Sequence, residues 1–138
     1  MTSEEARRRF LAARVARLAT ADADGVPHLV PIVFAVDGDT VFSAVDRKPK
    51  RTTALKRLAN VRANPRVALL ADEYDDEDWG ALWWARADGE GRVLEPGGPL
   101  ARRAVELLQD RYPQHRAAPP EGPVLAVHVV RWSGWAAR

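Results

Sequence analysis

Cysteine is absent from the 138 residues, which excludes disulfides, thiolate metal sites and a cysteine nucleophile. Long apolar runs are absent too. None approaches the roughly 18 residues of a membrane-spanning helix, and the opening MTSEEARRRFLAARVARLAT has no apolar core of a secretory signal. These absences lead us to expect a cytoplasmic protein without a membrane span. Lysine is nearly missing: only Lys48, Lys50 and Lys56 occur, and arginine takes the other 18 of 21 basic positions. The formal net charge is only +2, although the isoelectric point is about 9.4. Arginine's very high pKa makes the two figures diverge, and so small a charge argues against a nucleic-acid partner.

The usual catalytic signatures are lacking as well. His28, His115 and His128 lie far apart without zinc-ligand spacing. There is no GxSxG, and Ser43 and Ser133 have no base nearby in sequence. The acidic run DEYDDED (72–78) lacks calcium-loop spacing and reads as a solvated loop. We therefore expect neither a bound metal nor a catalytic side chain. His128, alternating with Ala126 and Val130, reads as a core or pocket residue. Of the five tryptophans, Trp79, Trp83, Trp84, Trp132 and Trp135, most read as core, with one or two left to line a planar ring.

Hydrophobic residues make up 46% of the chain, enough for one globular domain over residues 1–138. SEEARRRFLAAR reads as a short helix capped by Ser3. Three β-type runs follow, Val15–Ala21, Val26–Val36 and Thr40–Val45, separated by the turn signals DADG and DGD. Pro27 and Pro31 mark the second run as an edge or bulged strand. TALKRLANVRAN is a helix begun at Thr52 and ended by Asn64-Pro65. RVALLA is a buried strand, and GALWWARADGEGRVLE gives one or two strands around a glycine-rich turn. GPLARRAVELLQDRYP is an amphipathic helix stopped by Pro113, RAAPPEGP a linker and VLAVHVVRWSGW a final strand. About six strands with three helices predict a small antiparallel or mixed barrel, mainly β. RVALLA and VLAVHVV are apolar on both faces, more than one small barrel needs, so we expect a homodimer.

Residues 47–57, RKPKRTTALKR, hold six cations, all three lysines among them, and no acid. They fall in the loop before a helix and in its first turns. Cations at a helix N-terminus repel its dipole, by about 0.3–1 kcal/mol each, and an anion there relieves the repulsion while accepting the free N–H groups. Lysine supplies compact point charges suited to phosphate. GxxxxGK[ST] is missing, which excludes a P-loop. A solvated basic face is the alternative, but the clustering points to an anion site. An anion site without catalytic residues suits a protein whose cofactor does the chemistry.

The stretch from Leu18 to Val67 reads LAT-x-x-x-x-G-x-P-H-x-V-P-x-x-F, then D-x-K-P-K-R, then L-K-R-L-x-N-V-x-x-N-P-x-V. It resembles the pyridoxamine 5'-phosphate oxidase-like superfamily, and within it the coenzyme F-420-dependent branch; WWARADGEGRV and VVRWSGW fit more loosely. The resemblance implies a split β-barrel, a homodimer with cofactor clefts at the interface, and hydride transfer to an unsaturated or conjugated small molecule by the 8-hydroxy-5-deazaflavin F-420, with FMN as the alternative cofactor. It implies that Pro31, Ile32 and Val33 meet the tricyclic ring through backbone atoms, and that Lys48, Lys50, Arg51 and Thr52 hold the phosphate. Lys56 or Arg57 would meet the carboxylates of an oligoglutamate tail, and Trp84 and Arg86 would close the cleft, from the same or the other subunit. The C-terminal arginine motif of true pyridoxamine phosphate oxidases is lacking. A cofactor carrier without turnover, and a nucleic-acid binder using the basic segment, remain as other classes.

Overall fold

The computed structural model describes residues 1–44 and 51–138, the side chains of 51–55 excepted. Its strands are β1 Ala16–Ala21, β2 Pro27–Ile32, β3 Ala35–Asp37, β4 Thr40–Ala44, β5 Arg66–Glu73, β6 Trp83–Leu94 and β7 Val124–Ala136. The helices are α1 Ser3–Ala12, α2 Arg51–Ala63, α3 Pro99–Arg111 and α4 Pro113–Ala117, with a 3-10 turn at Trp79–Ala81. All strands join one sheet in the order β2-β1-β5-β6-β7-β4-β3, each neighbouring pair antiparallel. No helix among the described residues is long and apolar enough to cross a membrane.

The mainly β fold with flanking helices is the one expected, with seven strands in place of about six. The additional strand arises because the run 26–36 breaks at Val33 and Phe34 into β2 and β3, which are the two edges of the sheet. A two-residue link between opposite edges can be made only if the sheet curls until those edges approach. The result is a split barrel, with the split at Val33–Phe34. Pro27 and Pro31 lie on edge strand β2, where a missing N–H is tolerated. Gly25 (φ 81°) and Gly38 (φ 61°) supply the left-handed turns at DADG and DGD.

Other local details differ from expectation. Thr2, one residue before Ser3, caps α1 by accepting from the Glu5 N–H at 3.1 Å. β6 runs unbroken through ADGEG, so its glycines serve close approach and not a turn. A Cβ on Gly89 would land on the His128 carbonyl beside the β-bulge at Asp88/Gly89. One on Gly91 would come 3.1 Å from Val61 Cγ1 of α2.

The barrel interior is filled by Leu18, Val30, Ile32, Val41, Leu69, Leu125 and Val127, and is closed by Phe10 of α1 and by Leu58 and Val61 of α2. Phe10 packs on Phe34 and Trp132, ring centroids 4.8 and 5.3 Å away. A second core lies outside the barrel, where Ala101, Ala104, Leu108 and Tyr112 cover Phe42, Ala44, Val124 and Ala126. The outer apolar residues Val124 and Ala126 of β7 are thus covered within the chain by α3, whereas Val130 is exposed. His128 lies just beyond that cover and is exposed. The tryptophans also depart from expectation: Trp132 is buried and Trp83 packs partly against the core, whereas Trp79 and Trp135 are exposed.

Candidate functional site

At the split, the chain leaves β2 through Pro31 and Ile32 and crosses at Val33. The Ser43 hydroxyl of β4 donates to the Val33 carbonyl at 3.1 Å and fixes that crossing. Arg57 of α2 and Tyr112, Gln114 and His115 from the α3–α4 junction close the space around it. Together with Ala44 they line a cleft of about 290 Å³, near the lower end for small-molecule pockets.

Arg57 is the chemically distinctive group. Its guanidinium is half-buried, and its buried Nε has no hydrogen-bond partner among the described residues. Burial lowers its pKa from the ordinary arginine value, because loss of water disfavours a charged form, yet arginine keeps its proton. A desolvated donor left unpaired is unfavourable unless an anion completes it.

Tyr112 frames the opposite wall. Its hydroxyl accepts from the Phe34 N–H at 3.3 Å and lies 2.9 Å from the Arg14 and Phe34 carbonyls, to either of which it can donate. The hydroxyl is therefore committed to the scaffold, and only the ring faces the cleft. Edge-on to that ring, at 6.0 Å, lies the buried imidazole of His115. Arg111 anchors the junction by donating to the Ala13 carbonyl, and it stacks 4.7 Å from the centroid of Phe34.

Of the residues expected at the site, the fold brings Pro31, Ile32, Val33 and Arg57 together. Lys48 and Lys50 lie outside the described residues, as do the side chains of Arg51 and Thr52. In sequence, the basic segment directly links the cleft residue Ala44 to the start of α2. Lys56 is exposed and outside the cleft, and Arg62 pairs with Glu95 at 3.2 Å. Trp84 and Arg86 stay apart from the cleft. The register Pro31–Arg17–Leu70–Arg86 runs from β2 to β6, three strand spacings or roughly 14 Å. Arg86 lies over Trp84 at 5.6 Å and pairs with Asp88 at 3.0 Å.

Ser43, Tyr112, Gln114 and His115 escaped the sequence reading. Its only hint of them was the helix stop at Tyr112-Pro113, followed at once by the polar pair Gln114-His115. Two larger clefts, of about 430 Å³ between α3 and residues 120–124 and about 370 Å³ beside Thr40, Glu90, Arg92 and His128, contain no unpartnered buried polar side-chain atom among the described residues.

The model of the pyridoxamine 5'-phosphate oxidase family matches residues 2–136. The chain belongs to that family. No curated protein matches this family member. Among solved structures it is similar to a conserved hypothetical protein of Mycobacterium tuberculosis, with TM-score 0.75 and 22% identity, over 100% of this chain and 86% of the other. The haem storage protein HutZ of Vibrio cholerae gives TM-score 0.72 and 18% identity, over 99% and 95%. An FAD-binding protein of Mycobacterium smegmatis gives TM-score 0.65 and 18% identity, over 98% and 94%. At such identities the likeness speaks to a shared split-barrel fold.

Proposed function

We propose that the cleft at the split binds a flavin-type cofactor, coenzyme F-420 in the first place, and that the protein is an oxidoreductase acting on an unsaturated or conjugated small molecule. The observation that carries this is Arg57: a desolvated guanidinium whose Nε is unpaired among the described residues, in a cleft whose wall includes Pro31, Ile32, Val33 and Tyr112. An apolar wall beside a cation with one buried N–H left unpaired among the described residues fits a planar ring with an anionic tail. The FAD-binding neighbour of the same fold supports a flavin-type ligand, and the DRKPKR segment supplies further cations on the chain between Ala44 and α2.

Such a cofactor supplies hydride transfer when bound. The chain's own part is to bind and orient it. Val33, held by Ser43, keeps the edge of β2 rigid against the ring, Arg57 holds an anionic group, and Tyr112 and His115 shield that side from water. A cleft of about 290 Å³ takes only part of such a ligand. The remaining contacts would come from a second protomer. Leu29 and Leu70, exposed on the outer face of β2 and β5 and flanking Ala19 and Ala68, offer an apolar surface for a homodimer that would carry Trp84 and Arg86 to the partner's cleft. Sedimentation at micromolar concentration tests this, and a stable monomer would remove the shared cleft.

FMN is the second reading, favoured by the Arg62–Glu95 pair and the outward Lys56, which leave fewer cations for an oligoglutamate tail. An exposed pair of this kind is worth at most about 1 kcal/mol, so an incoming carboxylate can replace Glu95. Fluorescence titration of the protein with F-420 and with FMN at fixed salt decides. Tighter F-420 binding is expected; equal or tighter FMN binding transfers the assignment to FMN, and binding of neither refutes a flavin-type site.

A further inference from the structure

Along α2, the buried side chains among residues 56–63 are Leu58, Asn60 and Val61. Asparagine is the odd member. Its Nδ2 donates to Thr20 Oγ1 of β1 at 3.1 Å, with both residues 4% exposed. A leucine here would bury more apolar surface without the desolvation that an amide suffers. An apolar contact holds a helix on a sheet while tolerating rotation about the helix axis; a hydrogen bond is directional and does not. Among residues 56–63, with two apolar side chains docking the helix, the Asn60–Thr20 bond is the buried directional contact and so is suited to set its rotation.

Arg57 lies three residues before Asn60, on an adjoining helical face. Helical side chains reach about 5–6 Å from the axis, so rotating α2 by about 20° displaces a side-chain tip by about 2 Å. Misplacement of about 1 Å can cost on the order of 100-fold where groups must meet. Thr20 belongs to β1, the strand paired along its length with β2, whose end forms the cleft wall. The bond therefore references the helix that carries the cation to the wall that receives the ring.

We infer that Asn60, through Thr20, is a positioning residue that aims Arg57 into the cleft; this rests on the proposal that the cleft takes a flavin-type ligand with an anionic tail. Buried polar pairs retained for orientation in place of stability are known elsewhere, and the signature is specific. Replacing both partners by apolar groups leaves no orphan and can be neutral for folding, yet it should weaken ligand binding.

The test is titration of the full-length parent, Thr20→Ser, Thr20→Val/Asn60→Leu, Arg57→Met and the triple variant with F-420 and with FMN, alongside melting of each apo protein. The expected result is a double variant that melts at or above the parent but binds about 10-fold more weakly. Thr20→Ser, which keeps the acceptor, stays within about threefold of the parent. The triple variant binds no more weakly than Arg57→Met alone, because an Arg57 no longer aimed has nothing left to lose. A double variant that folds and binds like the parent overturns the inference. If it does not fold, Thr20→Val measured below its melting temperature takes its place, and parent-like binding overturns the inference equally. Should Arg57→Met bind like the parent, the cleft assignment falls and the positioning role with it. Weakened Arg57→Met beside an unaffected double variant removes the positioning role alone.

Discussion

Replacing Tyr112 by Phe removes one oxygen and nothing else, and the surroundings of that oxygen set the expected cost. It accepts from the Phe34 N–H at 3.3 Å and lies 2.9 Å from two carbonyls, those of Arg14 and Phe34, one of which takes its proton. Phenylalanine loses one accepted and one donated bond, each worth about 1 kcal/mol, and leaves buried backbone groups in deficit, for a total of about 2–3 kcal/mol. With an unfolding entropy of about 2.1 cal/mol/K per residue, the 138 residues give about 0.3 kcal/mol/K, so Tm should fall by about 7–10 °C. The ring stays in place at the cleft, and the lost oxygen was turned toward residues 14 and 34. Affinity for FMN or F-420 should therefore stay within about threefold of the parent. Differential scanning calorimetry and fluorescence titration of the same preparation give both numbers. A Tm change under 3 °C would mean that water replaces the hydroxyl at no cost. A 10-fold change in affinity would mean that the hydroxyl reaches the ligand and has been assigned to the wrong partners.

Three further outcomes can be stated. Lys48→Ala and Lys50→Ala should each lower cofactor affinity about 10- to 100-fold, the loss of one charge-assisted contact, with Tm unchanged or slightly raised because a cation leaves a helix N-terminus; parent-like titrations would reduce the loop to a solvated face. Phe10→Ala empties a site that is 0% exposed, between Phe34 and Trp132, and should cost about 3–5 kcal/mol in urea denaturation. Gly89→Ala drives a Cβ into the His128 carbonyl; separating two hydrogen-bonded strands at the bulge should cost at least about 3 kcal/mol, comparable with other large core disruptions, and an unaltered urea midpoint would show that the bulge absorbs it.

The strands were readable as short β-type runs bounded by turn signals, although the alternation of burial in RVALLADE, where Val67, Leu69 and Ala71 face in, was masked by apolar residues at Ala68 and Leu70. Pro27 and Pro31 announced an edge correctly. The break at Val33–Phe34 was hidden because both residues are apolar and continue the run; what interrupts the ladder there is the crossing from one sheet edge to the other, a tertiary fact. β7 was ambiguous for a related reason, since an outer face covered by α3 and one covered by a second protomer have the same pattern. At the site, Pro31, Ile32, Val33 and Arg57 were legible through resemblance and charge. Ser43, Tyr112 and His115 were not, because none lies near the others in sequence and each acts through a partner that only folding supplies. Gly89 and Gly91 looked like turn formers, since a sequence does not distinguish a glycine that bends the chain from one that admits a neighbour.

The position of β7 between β6 and β4 has a kinetic consequence. Residues 1–123 can build two fragments of sheet, β2-β1-β5-β6 and β4-β3, which the Val33–Phe34 link ties together but no strand pairing among the described residues joins. β6 and β4 each present an unpaired edge until the thirteen residues of β7 arrive, and an open edge of that length is a template for pairing with another chain. During synthesis the interval before residue 124 emerges is thus the period of greatest exposure to aggregation. Pairings as distant as Thr40 with His128 add the loop-closure entropy that makes non-local sheets fold slowly. The strand that completes the barrel is also the one on which its solubility during biogenesis depends.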